Sequence, residues 1–198
     1  MGQAKLKVVK EQEPKLWAPR KLDIACGDRK GVGFTGIDIS PDSDAEIHHD
    51  LFQFPWPIRA SSVSEIKCDH FVEHIPHWLP HWNGVDGWFL FWDEVWRICR
   101  KNAKVTVLHP YAKHDRAFWD PTHVRYIHEA SYGYLSKAWR EREKLTHYPV
   151  TCNFEAELIE GLDLSEHVSN RSNEFQMFAK EHYWNVVPDL RVTLRAIK

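Results

Sequence analysis

The chain has 198 residues and a mass of 23.4 kDa, with 43% hydrophobic and 27% charged residues, which is typical of one globular domain. Its 26 Lys and Arg residues against 28 Asp and Glu residues give a formal charge of −2, so no excess of positive charge draws it to nucleic acid. No apolar run approaches the roughly 20 residues of a membrane span, and the polar start of the chain lacks the apolar stretch of a signal peptide. We expect a single cytoplasmic domain over 1–198, with 1–19 as an N-terminal arm and no membrane partner.

Strand-like and helical patterns alternate along the chain, which predicts an α/β domain with a mostly parallel sheet. Apolar runs in the first part of the chain predict strands at 21–26, 34–39, 45–49, 63–68 and 104–109. Two late strands are predicted at 146–158 and 189–197. The polar stretch between these late strands is predicted to be a helical insertion.

Five of the ten tryptophans fall in one short stretch, at Trp78, Trp82, Trp88, Trp92 and Trp96. The last three recur at a spacing of four, which predicts a helix over about 86–101 whose indole rings pack in the core. The first two lie among Pro and Gly residues that interrupt a helix, and we interpret them as part of a substrate lid or as contacts of a homodimer. A second helix is predicted at 129–143.

The four cysteines lie far apart, at Cys26, Cys68, Cys99 and Cys152. They form no C-x-x-C pair and show none of the short spacings of a zinc site. Two of them fall in apolar, strand-like runs, where cysteine usually behaves as a small buried hydrophobe. We therefore expect four reduced thiols.

Three successive predicted strands end in residues that suit a nucleoside. Gly27 follows the first strand, and ligands of open α/β sheets bind beyond the carboxyl ends of the strands, where a glycine lets them approach the backbone. Asp38 ends the second strand and can accept hydrogen bonds from both ribose hydroxyls, and Asp50 follows the third. A glycine after a strand is about as often only a turn, but three such strand ends together favour a nucleoside pocket.

A dinucleotide is disfavoured by the same residues. Gly27, Gly31 and Gly33 do not form G-x-G-x-x-G, and Asp38 follows Gly27 by 11 positions where that fingerprint needs roughly 20. The gap before Phe34 is also too short for a helix whose N-terminus could hold a pyrophosphate. We expect a nucleoside without phosphate.

An ordered set of segments over about 20–135 resembles the class I S-adenosylmethionine-dependent methyltransferases, most of all the compact group common in surface-polysaccharide gene clusters and phage genomes. The segments that carry the resemblance are 21–27, 33–38, 49–51, 54–57, 69–74, 91–98, 105–111 and 120–125. The resemblance implies a Rossmann-like methyltransferase sheet, mostly parallel with an antiparallel C-terminal strand, and a shortened first crossover.

The resemblance also implies S-adenosyl-L-methionine as the cofactor. The residues that it places at this cofactor are Ala25, Cys26, Gly27, Asp38, Ile39, Asp50, Leu51, Asp69 and His70. The first three would face the methionine part, Asp38 the ribose, and Asp50 with Leu51 the adenine. Asp69 and His70 would lie beside the transferred methyl group.

Four histidines lie near the predicted rim of the sheet, at His70, His74, His109 and His123. Methyl transfer to a hydroxyl requires alignment of the acceptor and removal of its proton, and histidine suits the second task because its pKa lies near neutrality. We predict His123, Glu73 and His74 as catalytic residues. Alternatively, the adjacent Glu73 and His74 only open a helix, where the helix dipole favours an acid.

A metal cluster is a further interpretation of this region. Asp69 and His70 lie four positions before Glu73 and His74, a spacing that brings side chains to one face of a helix. A structural role is favoured over this cluster, and no metal is predicted.

The sequence therefore predicts a methyltransferase that acts on a small-molecule or glycan acceptor, preferably at oxygen. Nucleic acid is disfavoured as the substrate because the residues after the fourth strand, 69–72, do not read [D/N/S]-P-P-[Y/F/W], the loop of amino-methylating DNA enzymes. The alternative is a cofactor-binding, methyltransferase-like protein without catalytic activity that acts as a partner or regulatory subunit. The reduced glycine content of the loop at 25–29 favours this alternative, and the carboxylates of the strand ends favour an enzyme.

Overall fold

The protein is described by a computed structural model over residues 16–198. Most of the predicted N-terminal arm, 1–15, lies outside the described residues. Trp17, at the start of the described chain, forms a parallel bridge with Ile58. Among the described residues, no helix combines the length and the apolar character that crossing a membrane requires.

One sheet of seven strands runs through the described chain, in the spatial order β3-β2-β1-β4-β5-β7-β6. Its strands are β1 (Lys21–Ile24), β2 (Thr35–Asp38), β3 (Ile47–His48), β4 (Val63–Asp69), β5 (Cys99–Pro110), β6 (Phe154–Leu162) and β7 (Asp189–Ala196). Strands β1 to β5 pair in parallel, and β7 is antiparallel to both of its neighbours. The prediction of a mostly parallel sheet with an antiparallel C-terminal strand is confirmed. The strand order reverses between β1 and β4, where ligands of such sheets bind.

The helices are α1 (Gly87–Ile98), α2 (Arg116–Trp119), α3 (Lys137–Arg142), α4 (Glu166–Ser169) and α5 (Asn173–His182), with 3-10 turns at Val72–His74, Pro80–Trp82 and Glu129–Leu135. The carboxylate of Asp86 caps α1 by accepting the N–H of Trp88 at 2.8 Å. Trp88 and Trp92 are buried on this helix, as predicted. Trp82 is also buried and its indole donates to the Phe52 carbonyl at 3.2 Å, so its predicted place in a lid is wrong.

Two predicted elements differ from the structure. Residues 129–143 are not one helix, because the Ser136 hydroxyl accepts the N–H of Trp139 and begins a new helix, α3, after the 3-10 turn. The first half of the predicted strand 146–158 is not a strand either. There the Asp93 carboxylate accepts the N–H groups of Thr151 and Cys152, and strand pairing begins only with β6.

The sheet has two unlike faces. On one face the register brings Leu22, Ile66, Val105 and Leu194 side by side, each at most 1% exposed, and this face belongs to the same buried core as the apolar residues of α1. The opposite face carries a row of charges that pair across and along the strands. Its ion pairs include Lys21–Glu65 at 2.7 Å, Lys67–Asp69 at 3.0 Å and Arg191–Glu160 at 3.0 Å.

The charged face is partly open to water, since the side chains of Lys67 and Asp69 are 33% and 34% exposed. The connection from β1 to β2, residues 25–34, contains no helix, which confirms the predicted shortening of the first crossover. All four cysteines are free thiols and buried, as expected.

Candidate functional site

The strand ends β1 and β4 meet where the strand order reverses. Ala25 and His70, the residues directly after these strands, have positive φ values of 54° and 51°. A left-handed conformation costs a non-glycine residue on the order of 1–3 kcal/mol, so the surrounding structure must hold it. The N–H of Ala25 donates to the Ile37 carbonyl at 2.8 Å, and the N–H of His70 donates to the Leu108 carbonyl at 2.7 Å. The neighbouring strands thus fix both turns at the edge where a ligand would bind.

Gly27 and Asp38 form the centre of this edge. Gly27 has a φ of 51°, and a Cβ at this position would meet no heavy atom within 4 Å. Its N–H donates to Oδ2 of Asp38 at 2.9 Å, and the N–H of Ser40 donates to Oδ1 at 2.8 Å. Each carboxylate oxygen keeps a lone pair that can accept a ligand hydroxyl. We call the open space over Gly27, beside the oriented carboxylate of Asp38, the cradle.

The other residues predicted at the cofactor lie around this cradle. Burial, followed by the negative charges of Asp23 and Asp38, raises the pKa of the Cys26 thiol to about 11, so the thiol stays neutral. Ile39 is 66% exposed beside the end of β2 and offers an apolar surface. After β3, the Asp50 carboxylate accepts the N–H of Phe52 at 2.9 Å. The next residue, Leu51, is buried in the core.

Asp69 and His70 are adjacent in sequence but face different sides of the sheet. The Asp69 carboxylate pairs with Lys67 on the charged face and lines a cavity there with Phe34 and Arg191. His70 instead lines a cavity beyond the ends of β4 and β5. The predicted pair at the cofactor is therefore divided by the structure.

This cavity, which we call the histidine cavity, has a volume of about 250 Å³. It is lined by His70, Glu73, His74, Pro110, Arg116, Trp119, Asp120 and His123. The three predicted catalytic residues are thus brought together, from the 3-10 turn after β4 and from the loop after α2. His109 lies outside the lining because its ring is fully buried, bonded through Nδ1 to the Pro110 carbonyl at 2.8 Å and stacked on Tyr132. Its predicted place on the rim is wrong.

Glu73 is the central acid of the histidine cavity. It is 2% exposed, and within residues 16–198 no donor makes a hydrogen bond of normal geometry to either carboxylate oxygen. The nearest ring nitrogens are Nδ1 of His70 at 3.4 Å and Nε2 of His123 at 4.0 Å from Oε1. The long hydrogen bond from His70 to this carboxylate raises the pKa of the His70 ring, against the opposing effect of burial. A buried carboxylate without hydrogen bonds of normal geometry is costly, which marks Glu73 as a residue kept for binding or chemistry.

The two other predicted catalytic residues are held by hydrogen bonds on one side of each ring. Nδ1 of His123 lies 3.0 Å from the Ala117 carbonyl, which can only accept, so the proton is on Nδ1 and Nε2 keeps its lone pair. The Thr122 hydroxyl donates to Asp120 at 2.6 Å and therefore accepts from Nδ1 of His74 at 3.1 Å. The rings of His74 and His123 are 4.8 Å apart between centroids.

A cavity of about 600 Å³ lies on the other side of the segment that carries His123. Its aromatic lining is Trp88, Phe89, Tyr126, Tyr134 and Tyr148, and we call it the aromatic cavity. Its polar wall is Arg125, which is bonded to the Asp86 carboxylate at 2.7 Å. The two cavities are neighbours because the N–H groups of Val124 and Arg125 both donate to the Glu73 carbonyl at 3.0 Å.

Two side chains that line the histidine cavity, and a third that contacts one of its histidines, were not among the predicted site residues. Arg116 and Trp119 reach it from α2, a single turn without a helical pattern in the sequence, and Arg116 is fixed there by Asp189 at 2.7 Å. Thr122 fixes His74. It lies within the segment 120–125 that the resemblance had singled out, so a search of that segment for hydrogen-bonding side chains could have found it.

No family model matches the chain, and no curated protein matches its sequence. Its structure is similar to a SAM-dependent methyltransferase from Archaeoglobus fulgidus, with a TM-score of 0.56, 15% identity, and 92% of this chain and 88% of that chain covered. A SAM-dependent methyltransferase from Methanosarcina mazei gives a TM-score of 0.53 at 14% identity over 92% of this chain and 95% of that chain. A complex of the Haloferax volcanii Trm112 methyltransferase activator with a methyltransferase gives a TM-score of 0.52 at 14% identity over 93% and 85%. The chain therefore has the Rossmann-like α/β fold of class I SAM-dependent methyltransferases.

Proposed function

We propose that the protein is an S-adenosyl-L-methionine-dependent methyltransferase that methylates a hydroxyl of a small-molecule or glycan acceptor. One observation carries this proposal. The cradle of Gly27 and Asp38 follows β1, and the turn at His70, which lines a cavity with a buried carboxylate and two oriented imidazoles, follows the paired strand β4. A nucleoside site beside a proton-accepting cluster is the arrangement that methyl transfer to a hydroxyl requires.

The cofactor is proposed to lie along the strand ends. Ala25, Cys26 and Gly27 face its methionine part, and Asp38 accepts the ribose hydroxyls. Ile39, Asp50 and Leu51 surround the adenine, while His70 and Asp69 are the predicted neighbours of the methyl group, with His70 the better placed because it lines the histidine cavity. When bound, S-adenosyl-L-methionine supplies an activated methyl group.

The cluster of Glu73, His74 and His123 is proposed to bind the acceptor hydroxyl and to accept its proton. The free Nε2 of His123 can accept a hydrogen bond from the hydroxyl, and the Glu73 carboxylate stabilises positive charge on the ring. Such a general base contributes about 10²- to 10⁴-fold to a rate.

The aromatic cavity supports an acceptor with a ring that can stack, such as a sugar. Its volume is about 600 Å³, and it adjoins the backbone that carries His123. We propose that it holds the part of the acceptor that does not react. A homodimer through the tryptophan-rich region also stays a prediction, and Trp78, 56% exposed, is the tryptophan of that region available for such a contact.

The first test is calorimetric titration of the protein with S-adenosylhomocysteine. We expect micromolar binding that is lost in Asp38→Ala and retained in Asp42→Ala, an exposed acid on the adjoining turn. His123→Ala should retain this binding and lose at least 100-fold in methyl transfer, measured with sugars and sugar nucleotides as acceptors. Absence of binding to the folded protein would contradict the proposal. Binding without transfer to any acceptor would favour the non-catalytic, regulatory alternative.

A further inference from the structure

Glu73, His74 and His123 form a compact set of potential metal ligands. Each offers one ligand atom, and these atoms lie within 4.8 Å of one another. We propose that the three side chains bind one divalent ion of the first transition row, such as Mn²⁺ or Zn²⁺. This ligand set differs from the cluster considered from the sequence, because Asp69 pairs with Lys67 on the charged face and His123 comes from a distant segment.

The state of Glu73 is the first argument for an ion. The residue is 98% buried, and in the described part of the chain its closest partners are imidazole nitrogens at 3.4 Å and 4.0 Å, too far for a hydrogen bond of normal geometry. Charged groups in protein interiors are normally paired, hydrogen-bonded or bound to a metal. An ion between Glu73 and the imidazoles of His74 and His123 supplies a closer partner.

The second argument is the way in which both histidines are held. A histidine that binds a metal usually donates its other ring N–H to a carbonyl, a carboxylate or a water, which fixes the tautomer and the direction of the ring. Nδ1 of His123 donates to the Ala117 carbonyl, and Nδ1 of His74 donates to Thr122, whose hydroxyl donates onward to Asp120. In the neutral form of each ring this arrangement leaves the lone pair on Nε2, the atom that a divalent ion needs.

The class of ion follows from the donor set. Two imidazoles and one carboxylate suit Mn²⁺, Fe²⁺ and Zn²⁺, whereas Mg²⁺ and Ca²⁺ prefer oxygen ligands alone. Three protein ligands leave coordination positions open toward the cavity of about 250 Å³, as in metal sites that act on a substrate. An acceptor hydroxyl in an open position would become more acidic, since the cation stabilises the alkoxide. This role, unlike the binding itself, rests on the proposed function, and in it the ion takes over the activation assigned there to His123.

A protonated His70 is the alternative to a metal ion as the partner of Glu73. His70 Nδ1 lies 3.4 Å from the carboxylate, so a protonated His70 could neutralise it without any ion. The two possibilities differ in what titration with a metal shows, and the experiment is designed to separate them.

The test is titration of the full chain, freed of metal with a chelator, with Mn²⁺ followed by electron paramagnetic resonance and with Zn²⁺ followed by calorimetry. We expect one equivalent to bind with a micromolar dissociation constant and to raise the melting temperature. Glu73→Gln and His123→Gln should each weaken binding at least 100-fold. The control His182→Gln, an exposed histidine of α5 outside the cluster, should bind as the wild type does.

A further variant keeps the test valid where a ligand variant does not fold. Thr122→Val removes the hydroxyl that holds His74 and leaves all three ligands, so binding should weaken about 10- to 100-fold. No binding to the wild-type protein, or equal binding to wild type and both ligand variants, overturns the inference and favours the pair with protonated His70. Titration of the same samples with S-adenosylhomocysteine separates the two proposals, because either ligand can bind when the other does not.

Discussion

Two buried carboxylates, Asp38 at the end of β2 and Glu73 after β4, have opposite hydrogen-bond environments. At the nucleoside edge, Asp38 accepts two backbone N–H groups, from Gly27 and Ser40, and so holds the turn that forms the cradle. In the histidine cavity, Glu73 is more deeply buried, and among the residues that the structure describes its nearest partner is Nδ1 of His70 at 3.4 Å. Asp38 stabilises the fold and keeps lone pairs for a ligand, whereas burial of Glu73 lowers the free energy of unfolding. The backbone therefore holds the carboxylate of Asp38, whereas side chains form the surroundings of Glu73.

The largest effect on stability is expected from Asp38→Ala. Two N–H groups lose their acceptor, and each unpaired buried donor costs about 1–3 kcal/mol, so the free energy of unfolding should fall by about 2–4 kcal/mol in urea titrations. Asp38→Asn keeps one acceptor oxygen and should lose about half as much. A loss below about 1 kcal/mol for the alanine variant would show that Asp38 does not hold the turn.

Gly27→Ala separates the two functions of that turn. The positive φ of 51° should cost about 1–2 kcal/mol in an unfolding titration, without a clash, because no heavy atom lies within 4 Å of the added Cβ. The Cβ enters the cradle, so the affinity for S-adenosylhomocysteine should fall at least tenfold in calorimetry. Gly33→Ala is the matched control, since Gly33 has a φ of 81° and equally open space. It should show a similar loss of stability and unchanged affinity.

Glu73→Gln should raise the free energy of unfolding, whereas the two preceding substitutions lower it. In the presence of a chelator and at a pH above the raised pKa of His70, removal of the buried charge of Glu73 should raise the free energy of unfolding by about 1 kcal/mol. Chemical denaturation of both proteins in the same buffer measures the difference. A destabilised variant would mean that Glu73 has a partner in solution, and the contrast with Asp38 would disappear.

Thr122→Val is expected to have the smallest effect on stability. Its hydroxyl joins His74 to Asp120 at an exposed position, so the free energy of unfolding should fall by only about 0.5 kcal/mol. A loss above about 1.5 kcal/mol, by the same denaturation assay, would assign the cluster a role in holding the loop after α2.

The positions of Gly27, Asp38 and Asp50 at one edge of the sheet could be predicted from the sequence because these residues follow consecutive strands in chain order. Gly27, Asp38 and Asp50 need only the alternation of apolar runs and turns to be placed on one rim. Glu73 and His123 are 50 positions apart, and only the resemblance joined them. Their hydrogen-bond environment follows from packing, which a local pattern does not encode.

The same limit explains the errors in secondary structure. Residues 146–153 have a strand-like pattern, but the distant Asp93 carboxylate binds their backbone N–H groups and prevents pairing. Trp82, interpreted as a lid residue from its Pro- and Gly-rich neighbours, is buried against Phe52 and Phe54. Arg116 and Trp119 had no local signal, because α2 is a single turn.

The charged face of the sheet has a consequence for the length of the chain. A sheet with two apolar faces needs a helix layer on each, and every crossover must then be long enough to supply one. Here the ion pairs around Lys67 make one face compatible with water beside the side chains of Phe34 and Leu108, so this face carries less apolar surface than its opposite. The ten residues of 25–34 can therefore join β1 to β2 directly. Because residues 25–34 contain no crossover helix, the cradle at Gly27 is open on the side that such a helix would cover.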